Sequence, residues 1–409
     1  MPSIKDVIDA AELLKVKPIG IDEDKCVAVR NRNSRCRTCM EACAFDAIEV
    51  SNNEVHLDVS LCVNCGACTT VCPNGVFSTL EPTKAKVVDD VLRTADARTG
   101  CAVIACARRA ARREADPERF TEIPCLGHID ELQLADIASH GFDDILLVDG
   151  DCSTCRYGAV SPCIDETVEN AIRLTEAVDA DVMIARTLAF PPEMIQPDKS
   201  NIRGEARRGL LFQTGNYVKT VAGNVANKTL EDKFGEGSKP HTLHERLSAG
   251  KSGRMPTFEP VRNHRLLDDM ERLCAASENL PTSDQVLKTR HFGRLEIDAQ
   301  DCSGCGLCVL FCPTKALSYA QFDVPQDQDM RYLEFQASEC TQCMLCKDVC
   351  LRGSLEVSAS VKVSDLFDLE PDLLEIPKPK NKTSLFDRSS LKQGKLAKDT
   401  KSIKSIKDA

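Results

Sequence analysis

Four runs of cysteine constrain what this 409-residue chain can fold into. Cys62, Cys65, Cys68 and Cys72 are separated by two, two and three residues, and Pro73 follows. Cys302, Cys305, Cys308 and Cys312 repeat that spacing ahead of Pro313. Cys340, Cys343, Cys346 and Cys350 keep it without the proline. Cys36, Cys39 and Cys43 form a fourth run whose first member has moved upstream, to Cys26. Three thiolates on one tight loop can clasp one face of an iron–sulfur cubane. The fourth cannot reach it, because the chain has already turned into a helix, so it serves the neighbouring cluster. Runs that come in two pairs therefore imply two pairs of clusters. Structural zinc also uses C-x2-C pairs, but it requires neither the third cysteine nor the three-residue step.

Cysteine is abundant, with 23 residues. Disulfide frameworks of that density belong to short secreted chains. Met1 to Gly20 lacks a long apolar core and carries Asp6, Asp9 and Glu12, so no signal peptide is expected. No apolar stretch approaches the roughly 20 residues that span a membrane. A reducing, cytoplasmic compartment is expected, in which thiols bind metal. The formal charge is −11. From Ile376 to Ala409 ten Lys and Arg face three Asp and Glu, net +7, so the body is acidic and offers no nucleic-acid patch. With no Trp and four Tyr, base-stacking platforms are not expected.

The expected organisation has five parts. Residues 1–82 form one cluster unit, with a hairpin in which Ala47–Val50 and Val55–Asp58 alternate around Ser51–Glu54. Residues 291–362 repeat the plan, Leu295–Asp298 leading into one run and Ser354–Val357 leaving the other. A polar insertion at Asp323–Met330 lengthens the connection. Residues 85–190 alternate strands with helices, which implies a parallel sheet. Its strands are Ala102–Ala105, Thr121–Pro124, Asp144–Val148 and Asp181–Ala185. Its helices are Arg108–Glu118, Asp130–His140 and Thr167–Val178. Residues 200–290 read as linker and surface helices, Leu266–Cys274 among them. Residues 365–409 read as a mostly disordered, lysine-rich tail, either solvated or docking on an acidic partner. The fold class is thus two α+β ferredoxin-like cluster domains around a central α/β parallel-sheet, flavodoxin-like domain.

The two terminal units resemble bacterial two-cluster ferredoxins over roughly 60 residues each. The family's crossed ligation implies one 4Fe–4S cluster on Cys26, Cys36, Cys39 and Cys72, and its neighbour on Cys43, Cys62, Cys65 and Cys68. It implies a third on Cys302, Cys305, Cys308 and Cys350, and a fourth on Cys312, Cys340, Cys343 and Cys346. The nine residues between Cys26 and Cys36 depart from the pattern. They are either a looped-out insertion or the mark of a three-iron first cluster without Cys26. In the middle part, Cys106, Cys125, Cys152 and Cys155 follow successive strands, and strand ends of a parallel sheet share one edge, where ligands bind. Either they hold a further cluster or some are merely small buried side chains; Cys101 and Cys163 are further candidates.

Ile123–Asp130, His140–Val148 and Cys155–Gly158 are similar to the delta subunit of methyl-viologen-reducing hydrogenase. That resemblance covers about 75 residues and implies a 2Fe–2S cluster. It also implies redox partners of the hydrogenase, formate dehydrogenase or heterodisulfide-reductase-like flavoprotein kind. No dinucleotide fingerprint, P-loop or nucleophile elbow occurs. A non-catalytic electron-transfer subunit of an oxidoreductase complex is therefore expected. The rivals are the iron–sulfur subunit of a molybdenum enzyme, a self-sufficient reductase acting at the middle cysteines, and a metal store or sensor.

Overall fold

The structure is a computed structural model and describes residues 19–95, 100–195, 256–277, 285–321, 329–368 and 370–379. The linker before residue 256, the insertion from 323 to 328 and the lysine-rich segment from residue 380 lie outside them.

The first described part holds four short strands: β1 (Ile19–Ile21), β2 (Ile48–Ser51), β3 (Glu54–Leu57) and β4 (Phe77–Thr79). β2 and β3 form the expected hairpin, and β1 lies antiparallel to β4. Asn52 and Asn53 at the tip have φ of 52° and 61°. Both positions of such a turn need the left-handed region, which asparagine enters more readily than most residues.

The helix α1 (Lys84–Thr94) leads into the middle part; Thr83 caps it by accepting from the Lys86 amide at 3.3 Å. There follow β5 (Cys101–Cys106), β6 (Thr121–Ile123), α2 (Glu131–Ala138), β7 (Asp144–Val148), α3 (Ser161–Glu176) and β8 (Met183–Thr187). The four strands make a parallel sheet in the order β6-β5-β7-β8. Both faces are covered, so β5 is apolar throughout, as a fully buried parallel strand requires. Ala102 and Ile104 face the core built with α1, α2 and α3, while Cys101, Val103 and Ala105 face Phe120, Phe190 and Met194. The helix expected over Arg108–Glu118 stops at Ala110. Arg113 adopts a φ of 53°, and the chain turns so that Ala115 bridges to Ile195.

The third part begins with α4 (Val261–Ser277). It holds β9 (Val286–Lys288), β10 (Arg294–Ile297), β11 (Leu317–Tyr319), β12 (Met330–Phe335), β13 (Leu355–Ser358), β14 (Ser360–Lys362) and β15 (Asp372–Pro377). β10 pairs β13 and β9 pairs β14, so two two-stranded ribbons join the start of the repeat to its end. β12 is flanked by β11 and β15. Two expectations change here. α4 is not a surface helix, because Leu266, Met270 and Leu273 join the same core as the sheet helices. The start of the expected tail is ordered, since β15 completes a three-stranded sheet and Ile376 is 1% exposed.

Two buried carboxylates tie the three parts together. Asp130 caps α2 and accepts the Gln133 amide at 3.0 Å. It also pairs with Lys84 and, at 3.3 Å, with Arg262 of α4. Arg262 donates in turn to the carbonyls of Thr69 and Cys72, at 3.2 and 3.0 Å. Glu131 accepts from Arg290 at 2.9 Å, and His291 Nε2 lies 3.3 Å away. Burial alone would raise both carboxyls; Lys84 and Arg262 for Asp130, and His291 and Arg290 for Glu131, hold them below the usual range.

Removing one partner of a buried pair leaves the other charge uncompensated, at about 3–5 kcal/mol. Glu131→Gln should therefore lower unfolding stability by about that amount. Both carboxyls have folded values below their ordinary 3.8 and 4.5, so their contribution is present above that range and is lost as pH falls below it. Chemical denaturation from pH 7 down to about pH 2 checks both, and below about pH 4.5 the variant should lose less stability than the parent. Truncation after Glu375 should loosen the C-terminal part by removing Ile376, whereas truncation after Pro379 should not, as read by amide exchange in β12.

Candidate metal centres

The cysteines of the four runs come together in crossed sets. Cys26 is buried beside Cys72 and Cys36, and Cys39 lies among Cys72, Cys26 and Cys36. This is the Cys26 set. Cys65 and Cys68 lie with Cys62 and with Cys43 from the other run, forming the Cys43 set. Burial first, and then neighbouring thiols, push Cys39 up to about 12 and Cys65 to about 11. Thiols crowded in this way stay protonated until a metal cation supplies the compensating charge, so cluster insertion releases protons.

In the C-terminal part a hollow is lined by Cys302, Cys305, Cys308 and Cys350, the Cys302 set. A second is lined by Cys312, Cys340, Cys343 and Cys346, the Cys312 set. Each hollow draws three cysteines from one run and one from the other. Burial, followed by neighbouring thiols, raises Cys308, Cys340 and Cys343 to about 12. Cys350 is the exception. Burial is outweighed by hydrogen bonds from Ser354 and from backbone amides, and its value falls.

The repeat extends into the backbone. Three residues after the last cysteine of every run φ is positive: Asp46, Gly75, Lys315 and Gly353, at 49° to 67°. The next residue then turns its amide toward the cysteine sulfur, as Ala47 does to Cys43 and Val76 to Cys72, both at 3.4 Å. Amide–sulfur hydrogen bonds of this kind tune cluster potential. Inside three of the runs φ is also positive two residues after the first cysteine, at Asn64, Gly304 and Gln342. It is positive again one residue after the second, at Gly66, Gly306 and Met344. The Cys36–Cys39 run lacks this pair. Its residues Thr38–Glu41 are already helical, consistent with its displaced first cysteine.

In the middle part Cys106 ends β5, Cys125 follows β6 and Cys152 lies in the turn after β7, so all three stand at the C-terminal edge of the parallel sheet, where Cys106 and Cys152 bear on the Cys125 thiol. Burial first, then Cys65, Cys106 and Cys152, raise Cys125 to about 12. Cys152 Sγ is 3.3 Å from Asp149 Oδ2 and 3.3 Å from Arg186 Nη2. Arg186 holds the buried Asp149 through Nε at 2.8 Å. Cys155 stands one tight turn further on and is partly exposed; its amide donates to the Cys152 carbonyl at 3.1 Å. The two further candidates are placed elsewhere. Cys101 is at the opposite end of β5, among Asp144, Glu193 and Arg119. Cys163 is on α3, 3.5 Å from Thr70 Oγ1.

The middle edge and the Cys43 set touch through backbone. A Cβ on Gly66 would lie 2.7 Å from the Gly127 carbonyl oxygen, and one on Gly127 would lie 2.7 Å from the Cys65 carbonyl oxygen. Burial keeps His128 neutral, and its Nε2 donates to the Asn64 carbonyl at 2.8 Å. The spacing of the cysteines gave no sign of this docking. Gly66 and Gly127 were the available signal, because a side chain at either would part the loops. Gly127→Ala should therefore cost about 1–3 kcal/mol in overpacking. It should raise amide exchange in 62–68 and 125–128 together; a rise in one loop alone would argue against the contact.

Models of the 4Fe-4S dicluster domain family match residues 34–77 and 301–354. Cys26 lies upstream of the first match. A protein named Ferredoxin 7Fe from Hydrogenibacillus schlegelii is 39% identical over 36 residues, which is 9% of this chain and 46% of that protein. A ferredoxin from Alicyclobacillus acidocaldarius subsp. acidocaldarius is 43% identical over 40 residues, 10% of this chain and 51% of its own length. The chain thus spans about half the length of these curated relatives. No solved structure gives a significant match. Among the described residues no helix is long and apolar enough to cross a membrane. The chain contains two 4Fe-4S dicluster ferredoxin domains, one toward each end, with places for four clusters, and electron transfer is their chemistry.

Proposed function

We propose that the chain is an electron-transfer subunit that relays electrons between a dehydrogenase- or hydrogenase-type partner and another redox subunit of a larger complex. The observation that carries this reading is the packing of the sheet edge that bears Cys106, Cys125 and Cys152 against the loop of the Cys43 set, Gly127 against the Cys65 carbonyl. A redox centre there would face the ferredoxin domain at one side and a partner at the other. Cys155 is the fourth ligand in this reading, and the group is a 2Fe–2S cluster. The strand order β6-β5-β7-β8 supports a flavodoxin-like class, whose ligands lie at the C-terminal strand ends. The fourth thiol beside Cys36, Cys39 and Cys72 supports a full cubane on the Cys26 set rather than a three-iron cluster. The clusters supply one-electron chemistry; the chain supplies their spacing, burial and hydrogen bonds.

Three measurements test this reading. Anaerobic iron analysis should give about 16 irons from four cubanes plus about two from the middle. Cys125→Ser should abolish one spectroscopically distinct centre and leave the ferredoxin signals, whereas Cys101→Ser should abolish none. The isolated holoprotein should exchange electrons with artificial donors but turn over no metabolite. Substrate turnover by the pure chain would instead favour the self-sufficient reductase.

A further inference from the structure

We propose that the two ferredoxin domains meet at a redox junction inside the chain, where the Cys26 set adjoins the Cys312 set and Arg30 supplies the positive charge that tunes it. The proposal rests on the reading that these sets hold clusters, and it concerns their order and the residue between them.

The contact is built from both sides. Asn74, two residues after Cys72, accepts from Thr341 Oγ1 at 2.7 Å, and Thr341 sits between Cys340 and Cys343. Val27, directly after Cys26, packs with Leu345 and Val349, and Cys36 and Cys343 border that same apolar cluster. The Arg35 amide donates to Asp348 Oδ2 at 2.8 Å. Ligand loops of the two domains therefore touch each other through buried polar and apolar atoms.

Arg30 closes the short helix that follows Cys26 and is 7% exposed. It donates to the carbonyls of Asp24, at 2.9 Å, and Pro256, and its guanidinium lies 5.9 Å from the Phe258 ring centre. Among the described residues its buried Nε has no hydrogen-bond partner. A guanidinium is held away from water only where an anion compensates it. Phe258, beneath the guanidinium, donates its amide to the carbonyl of Pro313, next to Cys312, at 3.0 Å; against the burial that lowers Arg30, Cys343 and Cys312 of the opposite domain, with Asp24 of its own, supply the negative field. A thiolate-ligated cluster carries net negative charge that grows on reduction, so a fixed cation beside it favours the reduced state and raises its potential.

The junction completes an order. Gly127, two residues after Cys125, meets the Cys65 carbonyl, Cys68 packs against the apolar cluster that contains Cys39, and Cys346 and Cys308 pack on one core. The sets therefore run from the middle edge through Cys43, Cys26 and Cys312 to Cys302. The two ends of that series lie in different parts of the chain, which suits two different partners.

The experiment is a redox titration of the full-chain holoprotein followed by electron paramagnetic resonance, with Arg30→Gln and Arg30→Lys beside the parent. Arg30→Gln should reduce the reduced-to-oxidised ratio of a junction centre three- to tenfold at fixed potential, tenfold being 59 mV for one electron. The Cys302 centre should be unmoved, and Arg30→Lys should stay within twofold of the parent. An equal shift in every centre, or none, would overturn the assignment. Should Arg30→Gln lose iron, the parent still decides: reduction of the Cys26 centre should broaden the Cys312 signal, and magnetically isolated signals would refute the junction. A failure of the underlying reading looks different, because the parent would then lack the iron and the signals altogether.

Discussion

A tight loop can offer three thiolates to one face of a cubane but not a fourth, and that limit of reach shapes this chain at every scale. Within a ferredoxin domain it forces two runs to face each other, so that Cys43 joins the Cys62 run and Cys350 joins the Cys302 run. It also explains the left-handed residue three positions after every last cysteine. The backbone must reverse there for the following amide to reach the sulfur. Two helical turns cannot do this; a single residue of positive φ can.

Facing runs alone would give two separate modules. What places them in register is the pair of carboxylates at the start of α2. Asp130 is reached from α1 and α4 through Lys84 and Arg262, and Arg262 continues to the carbonyls around Cys72. Glu131 is reached from the C-terminal part through Arg290. Burying these charges is unfavourable unless each is compensated, so the network tolerates one arrangement of the three parts and penalises others. The docking of Gly66 against Gly127 is the close-packed counterpart of that network, since backbone meets backbone where any side chain would intervene.

Much of this was legible in the residues, and the remainder was hidden for identifiable reasons. The Asn52-Asn53 hairpin, the apolar strands β5 and β7 and the crossed thiol sets follow from local pattern and spacing. α1 was missed although Thr83 caps it and Val87, Val88 and Val91 share its buried face, because its other positions are mostly charged or polar. The helix expected after Arg108 ends early at a turn that its composition does not announce. The helix expected at Leu266–Cys274 reads as a surface helix because the stretch around it is polar; the buried α4 begins earlier, and Asn263 donates to the carbonyls of His291, Ser338 and Cys340, partners remote in sequence. β15 reads as tail because its partner β12 lies about 40 residues upstream, beyond the Cys340 run, β13 and β14. In the middle part the spacing placed Cys106, Cys125 and Cys152 at one edge, but only the packing shows that this edge abuts Cys65.

Iron anomalous scattering from crystals of the anaerobically purified protein would locate every cluster in this arrangement. Iron is expected at each of the four crossed cysteine sets and at the Cys106–Cys125–Cys152 edge, with the Cys26 and Cys312 sites adjacent across the domain junction. Zinc in place of iron at these sets, or Cys26 and Cys312 sites at opposite ends of the molecule, would contradict that arrangement.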